Sequence, residues 1–591
     1  MSARIKTVLL VVSALAAIAA VGCGSSSDAA SGVAIFPMQG TPTASPGTQI
    51  SFRGESPDQL TGISVVGSST GKHEGTLKPH SDGEGASFVP KNRFKRGETV
   101  TVKADPKLLG EKDGRIKFKI AYKAPIGVPS KVQKDPGGHA DGEQHFRSRP
   151  DLRPPNVKFT KTSSKTAPGD LFLTPKAGPG QDGTEVVDSK GKLVWFKRVP
   201  KLNSAFDLRV QEYEGKPALT WWQGGVHHGQ GQGKGLIYSS SYKKLAEVPA
   251  GNGYKADFHE FQLSRDGKTA FLLIYDPVRY DLRSIGGPKA GSVLDGIVQE
   301  IDIKTGLVLL EWHTLGSVGL KESYASVPKS SPMDVSHVNS VYEEDDGNLL
   351  VSARDMHSAL ELDRRSGKIL WRLGGKSSDY KMSGGSQFVS QHDIRRTGDG
   401  RITVFDNGAP PSPGRPARGI ALKVNDDKKK VSLSRTLRRG SAIHSPSQGN
   451  VQWLPNGDFM VGWGGDVPNF SEFDSDGKLL LDGTIVPPTL DTYRVWRFPW
   501  NAQPRRKPDI AAQAGGGQVG VYASWNGATE VRQWQVMTGA TSAALVPGKK
   551  VDRSGFETRI VVSGSPAYVA VRALGADGEV LGTSKTVQPR S

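Results

Sequence analysis

An all-β fold is predicted: a six-bladed β-propeller between an N-terminal Ig-like β-sandwich and a C-terminal fibronectin-III-like β-sandwich. Three features of the sequence predict it. Strand-length apolar runs are separated by Asp-Gly, Asn-Gly and Ser-Gly turns, the punctuation of antiparallel hairpins. A four-strand unit of about 40 residues recurs, which is the period of a propeller blade. Seventy-two glycines and 38 prolines among 591 residues, with few long amphipathic periods, favour strands and turns over helices.

The clearest unit is Met333–Gly375. His337–Tyr342 and Asn348–Arg354 flank a turn at Asp345-Asp346-Gly347, and Ser358–Asp363 and Lys368–Leu373 flank a second at Arg365-Ser366-Gly367. Inner hairpins of the same form are His259–Tyr275, His392–Phe405 and Asn450–Trp463; outer hairpins are Ile301–Trp312, Leu362–Trp371 and Phe473–Leu481. Weaker copies are Asp207–Trp222 with Leu236–Val248, and Gly419–Leu437. An incomplete unit leads (Leu171–Thr174, Gly183–Asp188, Lys192–Lys197) and a stray strand, Tyr493–Phe498, trails. A last strand that completes the first unit closes a ring and leaves no open edge.

Taken from the start, residues 1–22 read as a lipoprotein signal peptide. Arg4 and Lys6 form a positive stretch, Thr7–Val21 is apolar but short for a bilayer span, and Ala20-Val21-Gly22-Cys23 resembles a bacterial lipobox. That resemblance implies cleavage before Cys23, the only cysteine, and lipid on its sulfur. The expected protein is therefore extracytoplasmic, held to the cell membrane through Cys23 and free of disulfides. Residues 23–32 are a Ser/Gly-rich tether. Residues 33–124 carry about seven alternating runs, as an Ig-like sandwich would. Residues 125–155 form a Pro/Gly-rich linker stiff enough at its end to lie against the propeller, which occupies 156–503. A second linker, 504–517, precedes the fibronectin-III-like domain at 518–591, whose core is expected around Trp525 and Trp534.

The formal charge of +18 and pI near 9.6 favour anionic surfaces or ligands. Nucleic acid is excluded as a partner, since no Lys/Arg run alternates with aromatics and the N-terminus directs the chain out of the cytoplasm. The sequence gives no basis for an oligomeric state.

Aligning the units on their turns collects a site. His259 lies seven residues before Asp266, His337 nine before Asp346 and His392 seven before Asp399. All three sit at the start of an inner strand, in consecutive units. Gln448 and Asn450 hold that place in the next unit, eight and six residues before Asn456. Returning strands bring Asp276, Arg354, Asp406 and Asn407 to the same rim. Asp257 and Asp393 flank histidines, but strand neighbours point to opposite faces. Three imidazoles, a guanidinium and several amides make a pocket too polar to bury without a ligand or water. A lone histidine there is more often structural, bonding a neighbouring turn. Of Trp221 and Trp222, one packs in the core; the other, Trp222, is a candidate to stack on an aromatic ligand. His227-His228 fall in the glycine-rich run GGVHHGQGQGKG, read as a loop, solvated or lid-like.

Several stretches together resemble the bacterial arylsulfate sulfotransferase family, which moves a sulfuryl group between phenols without the nucleotide donor PAPS. They are ADFHEF (Ala256–Phe261), VQEIDIKT (Val298–Thr305), SHVNSV (Ser336–Val341), Ser352-Ala353-Arg354, ILWRLGG (Ile369–Gly375) and Gln391-His392-Asp393. FDNG (Phe405–Gly408), QGNVQWL (Gln448–Leu454), Tyr493–Phe498 and SWNGATEV (Ser524–Val531) also fit. By motif position the resemblance implies a transient sulfohistidine at His392, with His259, His337 and Arg354 as sulfuryl-binding partners. It implies a phenolic sulfate donor, a phenolic acceptor and no cofactor. Asn339, Asn407, Gln448, Asn450 and Trp222 are the candidate substrate-binding residues. Two features depart from the family: the enterobacterial enzymes carry a disulfide, and Arg354 is followed here by Asp355-Met356-His357 rather than a polar-aromatic run. The expected chemistry needs no metal, although three histidines with an open fourth position also suit zinc. A non-catalytic reading, a surface lipoprotein binding an anionic aryl or glycan ligand, stands beside the enzymatic one.

Overall fold

The computed structural model describes residues 32–125, 142–200, 202–227, 229–409, 414–440, 442–465 and 469–591. The expected signal peptide, Cys23, most of the tether, His228 and much of the first linker lie outside them. Every regular element among the described residues is a strand or a short 3-10 turn, and none is long and apolar enough to cross a membrane as a helix.

Between residues 156 and 498 lie six antiparallel sheets, mostly of consecutive strands. The first is ordered Leu193–Arg198, Gly183–Val187, Asp170–Leu173, Trp496–Phe498. Its last member comes from the far end of the segment, with Phe172 opposite Trp496. The second runs Ser204–Tyr213, Lys216–His227, Gln230–Ser239, Lys244–Pro249. The third runs Phe261–Leu263, Thr269–Tyr280, Gly291–Asp302, Val308–His313, with Met333–Asp334 added in parallel. The fourth runs Val338–Glu343, Leu349–Ala353, Ser358–Leu362, Ile369–Gly374. The fifth contains His392–Arg396, Ile402–Asp406, Arg418–Asn425 and Lys430–Leu437; the sixth Asn450–Trp453, Phe459–Gly462, Asn469–Phe473 and Leu479–Val486. Asn156–Lys161, for which no strand was expected, adds to the outside of the sixth.

The sheets hold together through apolar clusters shared between neighbours. Phe206, Trp222 and Phe258 of the second and third sheets pack with Tyr493, and Leu350 and Leu373 of the fourth pack with Ile394 and Val404 of the fifth. Such burial is worth about 1.5–3 kcal/mol per large side chain.

Two further units flank these sheets. Residues 33–124 form two four-stranded sheets around Ile50, Phe52, Val100, Val102, Ile116 and Phe118. The C-terminal unit is a three-stranded and a four-stranded sheet around Val521, Trp525, Trp534 and Val571.

Three sequence expectations need correction. The C-terminal unit begins inside the expected second linker, because Asp509–Gly515 pairs along its whole length with Gln518–Ser524 across a Gly-Gly turn. Alanine-rich DIAAQAG carries little β-propensity of its own; its partner strand imposes the conformation. The end of the first linker rests on the C-terminal unit as well as the first sheet: Phe146 stacks tilted on Phe556 at 4.4 Å, and Glu557 accepts from the Ser148 N–H at 2.6 Å. The glycine-rich run after Trp222 is no loop. It extends the second sheet's central hairpin, with Gly225 opposite Gln232 and Val226 opposite Gly231.

Candidate active site

His392 opens the first strand of the fifth sheet, His337 lies one residue before that of the fourth, and His259 two residues before that of the third. Those starting points are irregular: the pairing shifts between Val338 and Ser340 and between His392 and Arg395. His337, Asp393 and Gln448 have φ of 47°, 52° and 66°. Bulges and left-handed residues of this kind re-aim side chains at a sheet rim. The three imidazoles meet. Ring centroids are 5.0 Å apart for His259 and His337, 6.3 Å for His337 and His392, and 6.5 Å for His259 and His392.

Each ring is held by its Nδ1. Asn407 donates Nδ2 to the carbonyls of Ser445 (3.1 Å) and Gln448 (3.0 Å), which fixes its amide orientation. Its Oδ1 then faces His392 Nδ1 at 2.8 Å, so that nitrogen carries the proton. The lone pair is left on Nε2, where the Gln448 backbone N–H donates to it at 3.2 Å. His259 Nδ1 is 2.5 Å from Asp257, and His337 Nδ1 is 2.8 Å from Asp334.

These partners divide the protonation states. Burial, then the charges of Arg354 and His337, hold His392 well below the usual histidine range. Burial also lowers His259, and the Asp257 carboxylate only partly opposes it. Burial pulls His337 down too, but Asp334 and Asp355 outweigh it and its pKa is raised. The site therefore favours neutral imidazoles at His259 and His392 and an imidazolium at His337.

Arg354 begins a one-turn 3-10 segment directly after its strand. It pairs with Asp355 at 2.5 Å and donates weakly to the Pro446 carbonyl at 3.3 Å, while its Nε has no partner. It lies close enough to depress both His337 and His392. Ring nitrogens of the three histidines lie within 4.8 Å of one another, which suits a single metal ion by distance. The guanidinium argues for an anion instead, because a cation bound there would feel the same repulsion that keeps His392 neutral.

Other expected residues serve the scaffold. Asn450 donates to and accepts from the Val495 backbone at 2.9 and 3.0 Å, and Asn339 donates to the Gln391 carbonyl at 2.8 Å. The Asn450 amide is committed on both sides and the Asn339 amide nitrogen holds a neighbouring inner strand, while Asn339 Oδ1 is buried with no partner among the described residues. Trp222 is fully buried, its indole N–H donating to the Ala256 carbonyl at 3.0 Å and its ring edge-on to Phe206 and Phe258. It is packing and offers no face for stacking. Asp276 pairs with Lys123, and Asp406 with Arg415 and Arg418. Gln448 keeps its place at the rim, its side chain donating to Asp491 at 3.1 Å.

Sequence reasoning missed Asp334, Asp355, Tyr493 and Arg494. Tyr493 donates to the His259 carbonyl at 3.1 Å. Arg494, fully buried, lies 3.2 Å from Asp207, 3.3 Å from Glu260 and 3.6 Å from Asp393. Their signal was the stray strand, whose register against the other inner strands places Arg494 at the common centre.

Known proteins add the following. The profile of the arylsulfotransferase (ASST) family matches residues 209–485, which include all three histidines and Arg354. No curated protein matches the chain. Solved structures with some likeness include a protein of unknown function from Bacteroides caccae, at 12% identity and a TM-score of 0.35 over 56% of this chain and 98% of that one. A streptogramin B lyase aligns at 11% identity and a TM-score of 0.29, over 62% of this chain and 94% of that one. An auxiliary nutrient binding protein from Bacteroides ovatus aligns at 12% identity and 0.28, over 77% and 97%.

Proposed function

The segment 209–485 belongs to the arylsulfotransferase family, and from that premise we propose that the protein transfers a sulfuryl group from a phenolic sulfate ester to a phenol, without PAPS, through a sulfohistidine at His392. One observation carries the reading: an imidazole whose lone pair Asn407 fixes on Nε2 lies 6.3 Å, ring to ring, from one paired with a carboxylate, Asp334. The first is a nucleophile and the second an acid.

In the first half-reaction His392 Nε2 attacks sulfur, after the Gln448 N–H gives up that lone pair. The bond from sulfur to the aryl oxygen breaks, and His337 protonates the departing phenolate. In the second half the acceptor phenol gives its proton to His337, its oxygen attacks sulfur, and the N–S bond breaks. Donor ester and acceptor phenol thus become donor phenol and acceptor ester, with His392 and His337 restored. Arg354 and His337 offset charge on the sulfuryl and leaving oxygens, where a loose in-line transfer puts it. His259, oriented by Asp257, forms the wall of the pocket beside both rings.

The same proposal extends to the architecture and location. Six sheets in chain order, with Trp496–Phe498 paired to Asp170–Leu173, support a six-bladed propeller closed by its two ends. The paired sheets on either side support Ig-like and fibronectin-III-like sandwiches. The lipobox-like run ending at Cys23 supports a membrane-anchored, extracytoplasmic lipoprotein.

The test is transfer from p-nitrophenyl sulfate to phenol with no nucleotide present. His392→Ala is expected to lower the rate by about 10³-fold or more with the thermal transition unchanged. Transfer at the wild-type rate in that variant would overturn the assignment.

A further inference from the structure

A polar cavity opens where the outer strand of the first sheet, Leu193–Arg198, meets the outer hairpin of the second sheet and the C-terminal unit. Its volume is about 610 Å³, within the usual range for a small-molecule site. It shares no lining residue with the histidine cluster. We propose that this cleft is a separate binding site for a small ligand carrying sulfate or phosphate ester groups.

The argument starts from unmatched charge. Only two of the lining side chains, Asp151 and Asp509, are carboxylates, and both are committed to Arg149, at 2.8 and 3.3 Å. Lys197, Arg198, Lys243 and Arg505 line the same space, and none has a carboxylate partner among the described residues. Lys197 is the most informative. It lines the cleft, its ammonium 5.6 Å from the centre of the Tyr238 ring, and it meets no hydrogen-bond acceptor among the described residues. Burial, with Lys244 nearby, lowers its pKa, so the charged form lacks solvation that an anion would restore. A basic side chain left half-buried and unpaired, as Lys197 is, disfavours folding unless something offsets it, and the exposed Arg198, Lys243 and Arg505 add positive charge at the rim of the same cleft.

The walls are preformed. Asn526 clasps the strand backbone at Phe196, accepting at 3.0 Å and donating at 2.8 Å, and the Gly527 N–H donates to the Val194 carbonyl at 2.9 Å. Tyr242 stacks on Trp195 at 4.9 Å and donates to the Gly527 carbonyl at 2.9 Å. The C-terminal unit is thereby fixed to the first two sheets along one side of the cleft. A rigid, concave, cationic space pays little ordering cost on binding. Tetrahedral oxyanions suit convergent Lys and Arg groups, with Arg able to bind two oxygens at once.

The test is calorimetric titration of the full chain with inorganic sulfate, inorganic phosphate and a sulfated disaccharide, at low and at physiological ionic strength. The expected result is saturable binding of at least one probe, weakened ten-fold or more in Lys197→Met and in Arg505→Met. Both variants should keep the wild-type thermal transition, since neither charge is paired. Whether phosphate or the sulfated probes bind more tightly names the ester. Absence of saturable binding by all three probes, or wild-type affinity in both variants, would overturn the proposal. So would a parallel loss of aryl sulfate turnover in Lys197→Met, because the cleft would then be serving the histidine site; the transfer reading itself is untouched by either result.

Discussion

An amide oxygen, not a carboxylate, receives the Nδ1 proton of His392, while Asp257 and Asp334 take that place at His259 and His337. The difference is one atom in each partner, and it sorts the three rings by role. A carboxylate would raise the imidazole's pKa; Asn407 fixes the tautomer with far less pull toward the cation. The pH dependence follows with definite sign. His392 is depressed, so its neutral form, and with it activity, is lost only as pH falls well below the ordinary histidine value. His337 is raised, so its protonated form persists above the ordinary histidine value and activity is lost as pH rises through that elevated pKa. The rate profile should be a bell whose acid limb lies well below the ordinary histidine value and whose alkaline limb lies above it. Asp334→Asn should move its alkaline limb down and lower the turnover at neutral pH by about 10²-fold. Asn407→Asp should move its acid limb up. Limbs that stay put in both variants would remove these assignments.

At the scale of the strand, the site depends on how each first strand begins. The three histidines were legible because turn residues fix the register of each hairpin, and offsets of seven and nine residues bring all three to one rim. The partners were not legible. Asp334 reaches His337 from three residues upstream through a left-handed turn, and alternation along a strand carries no information about such a turn. Trp222 failed for a related reason: periodicity marks which residues share a face, but not whether that face is closed by Phe206 and Phe258 from next door. The amides of Asn339 and Asn450 were indistinguishable from ligand-binding ones until the neighbouring backbones were in view. Gly449 makes an element-scale prediction. Its φ is 96°, and an added Cβ would lie 2.4 Å from the Phe405 ring. Gly449→Ala should cost about 1–3 kcal/mol in urea unfolding and displace the Gln448 N–H from His392. Activity should therefore fall by more than the loss of folded protein explains; a variant of wild-type stability and rate would show the loop is not constrained as described.

Across the whole molecule, buried charge ties distant segments to common points. Arg494, two residues before the closing strand, meets Asp207 of the second sheet, Glu260 at the entry to the third and Asp393 of the fifth, joined by Arg209 and Arg395. A second knot fastens the N-terminal unit: Thr43 donates to Asp295 at 2.5 Å, and Asp295 and Glu311 hold His313 at 2.7 and 3.1 Å. Burial opposes the charge on His313, but the two carboxylates raise its pKa to about 10. Its contribution to stability is full below the unfolded value of 6.5 and is lost as pH rises toward about 10. Wild-type stability measured by urea unfolding should fall over that interval, and His313→Ala should flatten the fall while costing about 3–5 kcal/mol at neutral pH. Equal pH slopes in the two proteins would contradict the ion-pair account. None of these knots was visible in the linear sequence, since their members lie up to 287 residues apart.

The most direct measurement is the intact mass of the wild-type protein after brief exposure to excess p-nitrophenyl sulfate without acceptor, followed by peptide mapping at neutral or alkaline pH. The expected result is one acid-labile sulfuryl group, on His392, discharged when phenol is added. Rapid p-nitrophenol release with no adduct on His392, or the same adduct in His392→Ala, would contradict it.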